Sequence, residues 1–146
     1  VQSIIKEENK MRGNQKFFIC KHCGNMVGFI YDKGPPLVCC GDKMTELVPN
    51  TVDASHEKHV PAIKKAEECP CGCTCGSALV IEIGSVPHPM TSEHNISFVY
   101  IETENGGKQR YLKVGQEPVI KVCCCDDKPV AIYAYCNLHG LWKTEV

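Results

Sequence analysis

Twelve of the 146 residues are cysteine, and their spacing constrains the chain more than any other feature. Such a density, about one residue in twelve, touches the range of disulfide-rich secreted scaffolds. The spacing argues otherwise. Cys39-Cys40 and Cys123-Cys124-Cys125 are runs of neighbours, and a disulfide needs separated, facing Cα atoms that adjacent residues do not easily supply. Most of the others fall in C-x2-C and C-x-C steps, which let several thiolates share one metal ion. The pattern predicts a reduced, metal-binding protein of the cytoplasm.

Charge and hydropathy remove other classes. Sixteen basic and seventeen acidic side chains leave a formal charge of -1. A chain without a basic field has no electrostatic hold on nucleic acid or on an anionic membrane surface. Its apolar runs, such as Val130-Ala131-Ile132-Tyr133-Ala134-Tyr135, fall far short of the ~20 residues that a membrane-spanning helix requires. Neither nucleic acid nor membrane is an expected partner.

The chain reads as two units. Residues 1–10 are polar and charged, and Met11 is taken as the natural start, which leaves them outside the fold. A small module over 11–49 strings together Phe17-Phe18-Ile19, Cys20-x2-Cys23-Gly24, an apolar run from Met26 to Tyr31, a Gly34-Pro35-Pro36 turn and Cys39-Cys40-Gly41. So short a unit needs a staple to hold together, and a metal is predicted to be that staple. Residues 50–146 open with a polar stretch to Lys65, followed by a cysteine–glycine insertion at 67–77. Strands are predicted at Ala78–Ile83, Ile96–Thr103, Arg110–Val114, Val119–Val122 and Val130–Tyr135, with a hairpin turn at Glu104-Asn105-Gly106-Gly107. No stretch carries sustained helical periodicity. The fold class is therefore mainly β, a small metal module followed by a β-sandwich.

Cys20, Cys23, Cys39 and Cys40 form the first ligand constellation. A C-x2-C pair backed by Gly24 makes a knuckle whose N–H groups point at the sulfurs, and four thiolates suit zinc or a single iron. Adjacent Cys39 and Cys40 can bind one ion only in a strained arrangement. His22, inside the knuckle, is a solvent-facing spacer.

A second constellation mixes histidines with one thiol: His59 in Glu57-Lys58-His59-Val60-Pro61, His88 in Val86-Pro87-His88-Pro89-Met90, His94, and Cys136-x2-His139. Prolines on both sides of His88 restrict the backbone and lower the entropy cost of holding its ring. Singly, each histidine reads as a surface or packing residue. Together, imidazoles and one thiolate suit iron, copper or zinc.

These motifs resemble those of desulfoferrodoxin, the two-iron class of superoxide reductase, and the N-terminal module resembles desulforedoxin. The resemblance rests on Cys20-x2-Cys23…Cys39-Cys40, Glu57-Lys58-His59-Val60-Pro61, His88-Pro89-Met90 with His94, and Cys136-Asn137-Leu138-His139-Gly140-Leu141-Trp142. It implies a rubredoxin-like iron on Cys20, Cys23, Cys39 and Cys40. It also implies a second iron with His59, His88, His94 and His139 in one plane, Cys136 as axial thiolate and an open sixth position. Glu57 would cap that position in the oxidised resting state, and Lys58 would guide superoxide and carry a proton. The implied reaction is one-electron reduction of superoxide to hydrogen peroxide without oxygen release. A rubredoxin-like donor would supply the electrons, the assembly would be a homodimer, and the catalytic part would be an immunoglobulin-like sandwich.

Seven cysteines lie outside that scheme: Cys69, Cys71, Cys73, Cys75, Cys123, Cys124 and Cys125. If the two segments meet, they read as a third metal site, zinc or an iron–sulfur cluster. Disulfides or redox-sensing thiols and a tolerated loop insertion are the other readings. His56 falls outside the matching motif and is left out of the site. For the whole chain, a non-enzymatic electron carrier and a cysteine-rich metal-binding protein compete with the reductase, and dismutation competes as a reaction.

Overall fold

The computed structural model describes residues 13–125 and 127–146. They divide into two compact units between Val48 and Pro49. Residues 1–10, read above as an extension, lie outside the described residues, as does Met11.

The first unit consists of five very short strands: β1 (Phe17–Ile19), β2 (Met26–Gly28), β3 (Val38–Cys39), β4 (Asp42–Lys43) and β5 (Thr45–Glu46). β1 pairs antiparallel with β2 on one side and β5 on the other, while β3 and β4 form a separate hairpin. Its apolar content is thin. Phe17 and Cys20 are its buried hydrophobic residues, and Phe18 packs edge-on to Phe29 at 5.0 Å. The apolar run from Met26 does not continue as one strand: β2 stops at Gly28, and Ile30 is 91% exposed. A unit that buries so little needs its cysteines joined by a metal to persist.

The second unit is a sandwich of seven strands preceded by one helical turn, α1 (His56–His59). A three-stranded sheet contains β6 (Pro61–Lys65), β7 (Ala78–Ile83) and β10 (Val119–Cys123), in the order β10-β7-β6. The four-stranded sheet contains β8 (Ile96–Thr103), β9 (Gly107–Tyr111), β11 (Pro129–Cys136) and β12 (Gly140–Glu145), in the order β12-β11-β8-β9. All pairings are antiparallel. Sheets of three and four strands around one core match an immunoglobulin-like sandwich.

Alternation along the strands builds that core. Ile81 and Ile83 of β7, Ile120 and Val122 of β10, and Ile132 and Ala134 of β11 are buried together, and Ile96, Val99 and Ile101 of β8 join them. Cys136 ends the inward series of β11 and lies in the same cluster. Side chains two apart share a face of a strand, so a core-forming pattern in β11 aims the Cys136 thiol inward.

Three elements differ from the sequence reading. β9 runs from Gly107 to Tyr111 rather than from Arg110 to Val114, and at its start Gly107 passes against the Tyr100 ring where a side chain would not fit. β6 arises in the stretch read as polar. It is an edge strand in which Pro61 is buried while Lys64 and Lys65 face solvent. β12 completes the hairpin after β11 and buries Leu141 and Trp142. Edge strands and strands with charged outer residues carry weak apolar alternation, which is why both escaped.

Candidate metal centre

In the first unit the sulfurs of Cys20, Cys23, Cys39 and Cys40 all lie within 4.8 Å of one another. The knuckle forms as its spacing predicts: Gly24 N–H donates to Cys20 O at 2.9 Å, and Asn25 N–H reaches Cys23 Sγ at 3.4 Å. Cys40 and Gly41 join β3 to β4 with φ of 52° and 80°. Positive φ at both positions is the two-residue type I′ hairpin. The strain expected of adjacent ligands therefore takes a definite form, a non-glycine residue in the left-handed region, and it turns Cys40 back toward the Cys39 sulfur at 4.0 Å. The N–H of Cys23, with that of His22, draws the Cys20 thiol down to about 6, whereas neighbouring sulfurs, Cys23 foremost, push Cys40 up to about 12. His22 is exposed and pairs with Asp42.

In the second unit, four imidazoles form a ring. Centroid separations are 4.7 Å for His59–His88, 4.5 Å for His88–His94, 5.0 Å for His94–His139 and 4.9 Å for His139–His59. The diagonal His59–His94 is longer, 6.2 Å, as in a square. Ligand atoms of His59, His94, His139 and Cys136 all lie within 4.8 Å of one another. Cys136 Sγ stands 3.7 Å from His139 Nδ1, and the residue is fully buried. His59 and His88 are buried too, whereas His94 and His139 are half-buried, so solvent reaches the set from their side.

Local structure sets each ring. His59 closes the α1 turn, and its Nδ1 lies 2.6 Å from Ser55 O; His88 Nδ1 lies 2.6 Å from Pro89 O. A carbonyl only accepts, so both Nδ1 atoms carry the proton and both Nε2 atoms keep a lone pair. His94 sits in a loop tied to the next ligand segment: Asn95 N–H donates to Asn137 Oδ1 at 2.9 Å, and Asn137 Nδ2 donates to Glu93 O at 2.9 Å. His139 is turned back on Cys136 by the short β11–β12 hairpin, which ends at Gly140 with φ 77°.

Three positioning residues carried no role in the sequence reading. Ser55 anchors His59. Trp142 stacks on His59 at 4.8 Å and donates from Nε1 to His139 O at 3.1 Å. Gly84, with φ 79°, lets the end of β7 approach α1 so closely that a Cβ would lie 2.6 Å from the Lys58 carbonyl carbon. A glycine just after a predicted strand was the one available signal. His56, left out of the site, stands edge-on to Trp142 at 5.0 Å.

Two observations show that the residues fit a metal. His88 Nε2 and His94 Nε2 are buried with no hydrogen-bond partner, a costly state for polar atoms unless an ion takes their lone pairs. Burial also holds His59 and His94 below the usual imidazole range and lowers His88 to about 4. Neutral rings are the ligand form. Burial raises the Cys136 thiol, and the N–H groups of Leu138 and His139 oppose that shift.

Lys58 and Glu57 are exposed on α1. Lys58 is close enough for its charge to disfavour protonation of His94. The Glu57 carboxylate accepts from Ser55 Oγ at 3.4 Å and is not among the converging ligand atoms.

The desulfoferrodoxin family matches residues 51–145. This chain belongs to the desulfoferrodoxin family. It is 36% identical to the desulfoferrodoxin of Nitratidesulfovibrio vulgaris over 92% of this chain and 99% of that protein. It is 32% identical to the superoxide reductase of Pyrococcus horikoshii over 64% of this chain and 90% of the relative. The superoxide reductase structure from Treponema pallidum superposes with a TM-score of 0.70 at 28% identity, covering 90% of this chain and 99% of that one. The four-cysteine group and the histidine–cysteine group match the two mononuclear iron sites of a desulfoferrodoxin. Among the described residues, no helix is long and apolar enough to cross a membrane.

The extra cysteines separate into two kinds. Cys69, Cys71, Cys73, Cys75, Cys123 and Cys125 meet at one end of the three-stranded sheet. Cys124, grouped with them in the sequence reading, does not. It is 4% exposed and packs in the sandwich core. The cause is strand alternation: Cys124 continues the inward series of Ile120 and Val122, which sends Cys123 and Cys125 outward.

Proposed function

We propose that this protein is a superoxide reductase that converts superoxide, one electron and two protons to hydrogen peroxide, releasing no oxygen. The observation that carries this reading is the square of four imidazoles beside the buried Cys136 thiol, with the Nε2 atoms of His88 and His94 left without partners. His59, His88, His94, His139 and Cys136 would hold an iron, which would supply the electron. Cys136, as a thiolate, would donate electron density to such an ion and favour electron donation.

The remaining work belongs to the chain. His59 and His88 are buried and held neutral, and Trp142 and Ser55 fix the orientation of the His59 ring. Lys58 attracts the superoxide anion to the solvent-facing side, where a net charge of -1 gives no steering. Its Nζ holds a proton beside the site. Glu57, on the same turn and tethered through Ser55 Oγ, covers the open face in the resting state and swings aside for substrate. A rubredoxin-like protein returns the electron, the assembly is a homodimer, and residues 11–49 act as a desulforedoxin-like iron–tetrathiolate domain beside the catalytic 50–146.

Anaerobic mixing of the reduced iron protein with a known dose of superoxide tests the reading. One peroxide per superoxide with no oxygen is expected. Oxygen at half the superoxide consumed would make the protein a dismutase, and a rate equal to background would leave an electron carrier.

A further inference from the structure

The proposed reaction leaves a second sulfur-rich site unused. β6 and β7 are joined by a loop over 66–77, and its base is closed by Ala66 N–H donating to Ala78 O at 2.9 Å. Ala78 also pairs with Cys123 of β10, so the register of the three-stranded sheet brings Cys123 and Cys125 under the loop cysteines.

The sulfurs of Cys69, Cys73, Cys75, Cys123 and Cys125 all lie within 4.8 Å of one another, and Cys71 joins them through Cys69 and Cys123; two sets of four sharing an edge account for all six. Cys69 and Cys71 touch each other at 3.0 Å, and they reach Cys73 at 3.3 Å and Cys123 at 3.4 Å respectively. Cys75 and Cys125 touch each other at 2.9 Å. Both also reach Cys73, at 3.0 and 2.9 Å, and Cys123, at 3.7 and 2.6 Å. Cys73 and Cys123, 3.7 Å apart, are common to both sets.

We propose that these thiols hold a binuclear cluster of a zinc-class divalent ion. Cys73 and Cys123 bridge the two ions, Cys69 and Cys71 complete one tetrahedron, and Cys75 and Cys125 complete the other.

Geometry and charge both select this assignment. A Zn–S bond of about 2.3 Å gives a tetrahedral edge of about 3.8 Å, close to the 3.7 Å between the bridging sulfurs. The shorter contacts open as the ions enter. One ion would use four thiolates and strand two more, whereas two ions with two bridges use all six and give each ion four sulfurs. Six protons leave as two divalent ions bind, and the product carries a net charge of two minus. Lys108 Nζ donates to Cys123 O at 2.6 Å, which puts an ammonium group beside a bridging residue. Ser77 N–H reaches Cys75 Sγ at 3.4 Å. An iron–sulfur cluster would place inorganic sulfide between its metals and keep the cysteine sulfurs outside. Such a cluster takes four cysteines and would leave two of the six thiols without a metal.

The cluster is distinct from the histidine site. Its neighbour Ala78 begins β7, and Ile83 at the other end of β7 pairs with Pro61, two residues after His59. At about 3.3 Å per residue, roughly 17 Å of strand separates the two ends. A closed-shell ion there transfers no electrons; it clips a loop that has no strand of its own. This inference stands whether or not the superoxide reading does.

The test uses the full chain, loaded with iron in both family sites and grown in zinc-supplemented medium. Elemental analysis is expected to find two zinc ions per chain beyond the two irons. After exchange with cadmium-113, nuclear magnetic resonance should show two tetrathiolate signals split by coupling through the shared sulfurs. The double variant Cys69→Ser/Cys71→Ser should keep one ion and lose the splitting, with the visible spectrum of the histidine-ligated iron unchanged as its control for folding. One ion per native chain, or two uncoupled signals, would overturn the shared bridge. Acid-labile sulfide would overturn the zinc-class assignment, and no metal beyond the two irons would overturn the site.

Discussion

The histidine site and the six-thiol cluster lie in the same unit and are held in opposite ways. Around the histidines, the fold does the positioning. Cys136 ends a core-facing series on β11, His59 and His88 are buried, and carbonyls of Ser55 and Pro89 set the ring tautomers. In the thiol cluster, the sulfurs of Cys71, Cys75 and Cys125 are exposed, and the loop between β6 and β7 contains no strand. The first site imposes its geometry on what it binds. The second takes its geometry from the ion. The four-cysteine module follows the second rule, because its few buried side chains cannot hold it together alone. A centre that must leave a face open for substrate needs the first arrangement; a staple does well with the second.

The largest test of that contrast is metal removal. Chelation of both irons should unfold the 13–48 unit, so that its β1 and β5 amides exchange with solvent as in an unfolded chain. The sandwich strands β7, β8 and β11 should stay protected, and loss of both units together would show that the sandwich also depends on metal. Next in size is Cys136→Ser. Superoxide-dependent peroxide formation should fall by more than about 100-fold, beyond the range typical of a residue that only supports a ligand, while near-ultraviolet circular dichroism of the buried Trp142 persists. Activity within a few-fold of the parent would mean that the thiol is a core side chain and nothing more.

Lys58→Ala should act more gently. About a tenfold lower second-order rate constant at low salt is expected, with a flatter dependence on ionic strength and recovery in Lys58→Arg. An unchanged salt dependence would assign Lys58 to the solvated surface. The smallest effect concerns pH and the iron-free sandwich. His88 is lowered to about 4 from an ordinary 6.5, chiefly by burial, so between those values the unfolded chain binds more protons than the folded one. Stability from this group is therefore full above about 6.5 and falls as pH drops toward 4. Denaturant midpoints taken across that window should decline. In His88→Gln the slope should shrink.

Much of the chemistry was legible before any coordinates. The C-x2-C knuckle and the Cys39-Cys40 pair were each legible from spacing alone, because so few residues cannot carry a thiol out of reach of its neighbour. The histidine ligands were legible only as a set of motifs. Nothing in the local sequence around His94 says that Asn137 will tie its loop to Cys136. Strand β6 was hidden by its exposed lysines, and the role of Gly84 by the absence of any motif around it. Cys124 shows the limit most sharply. In the sequence it is the middle of three equivalent cysteines, and its separation from them follows only once β10 has a register and a core to face.

What the sequence determined by itself was the kind and number of ligand atoms: thiols and imidazoles in local spacings that soft and borderline metals favour. The tertiary structure decided which of them meet. Ligand chemistry is a property of single side chains and short spacings, so it survives in the unfolded chain. Convergence of His59 with His139, or of Cys73 with Cys123, depends on strand pairing across long stretches of chain. That pairing is settled by which faces of the two sheets exclude water.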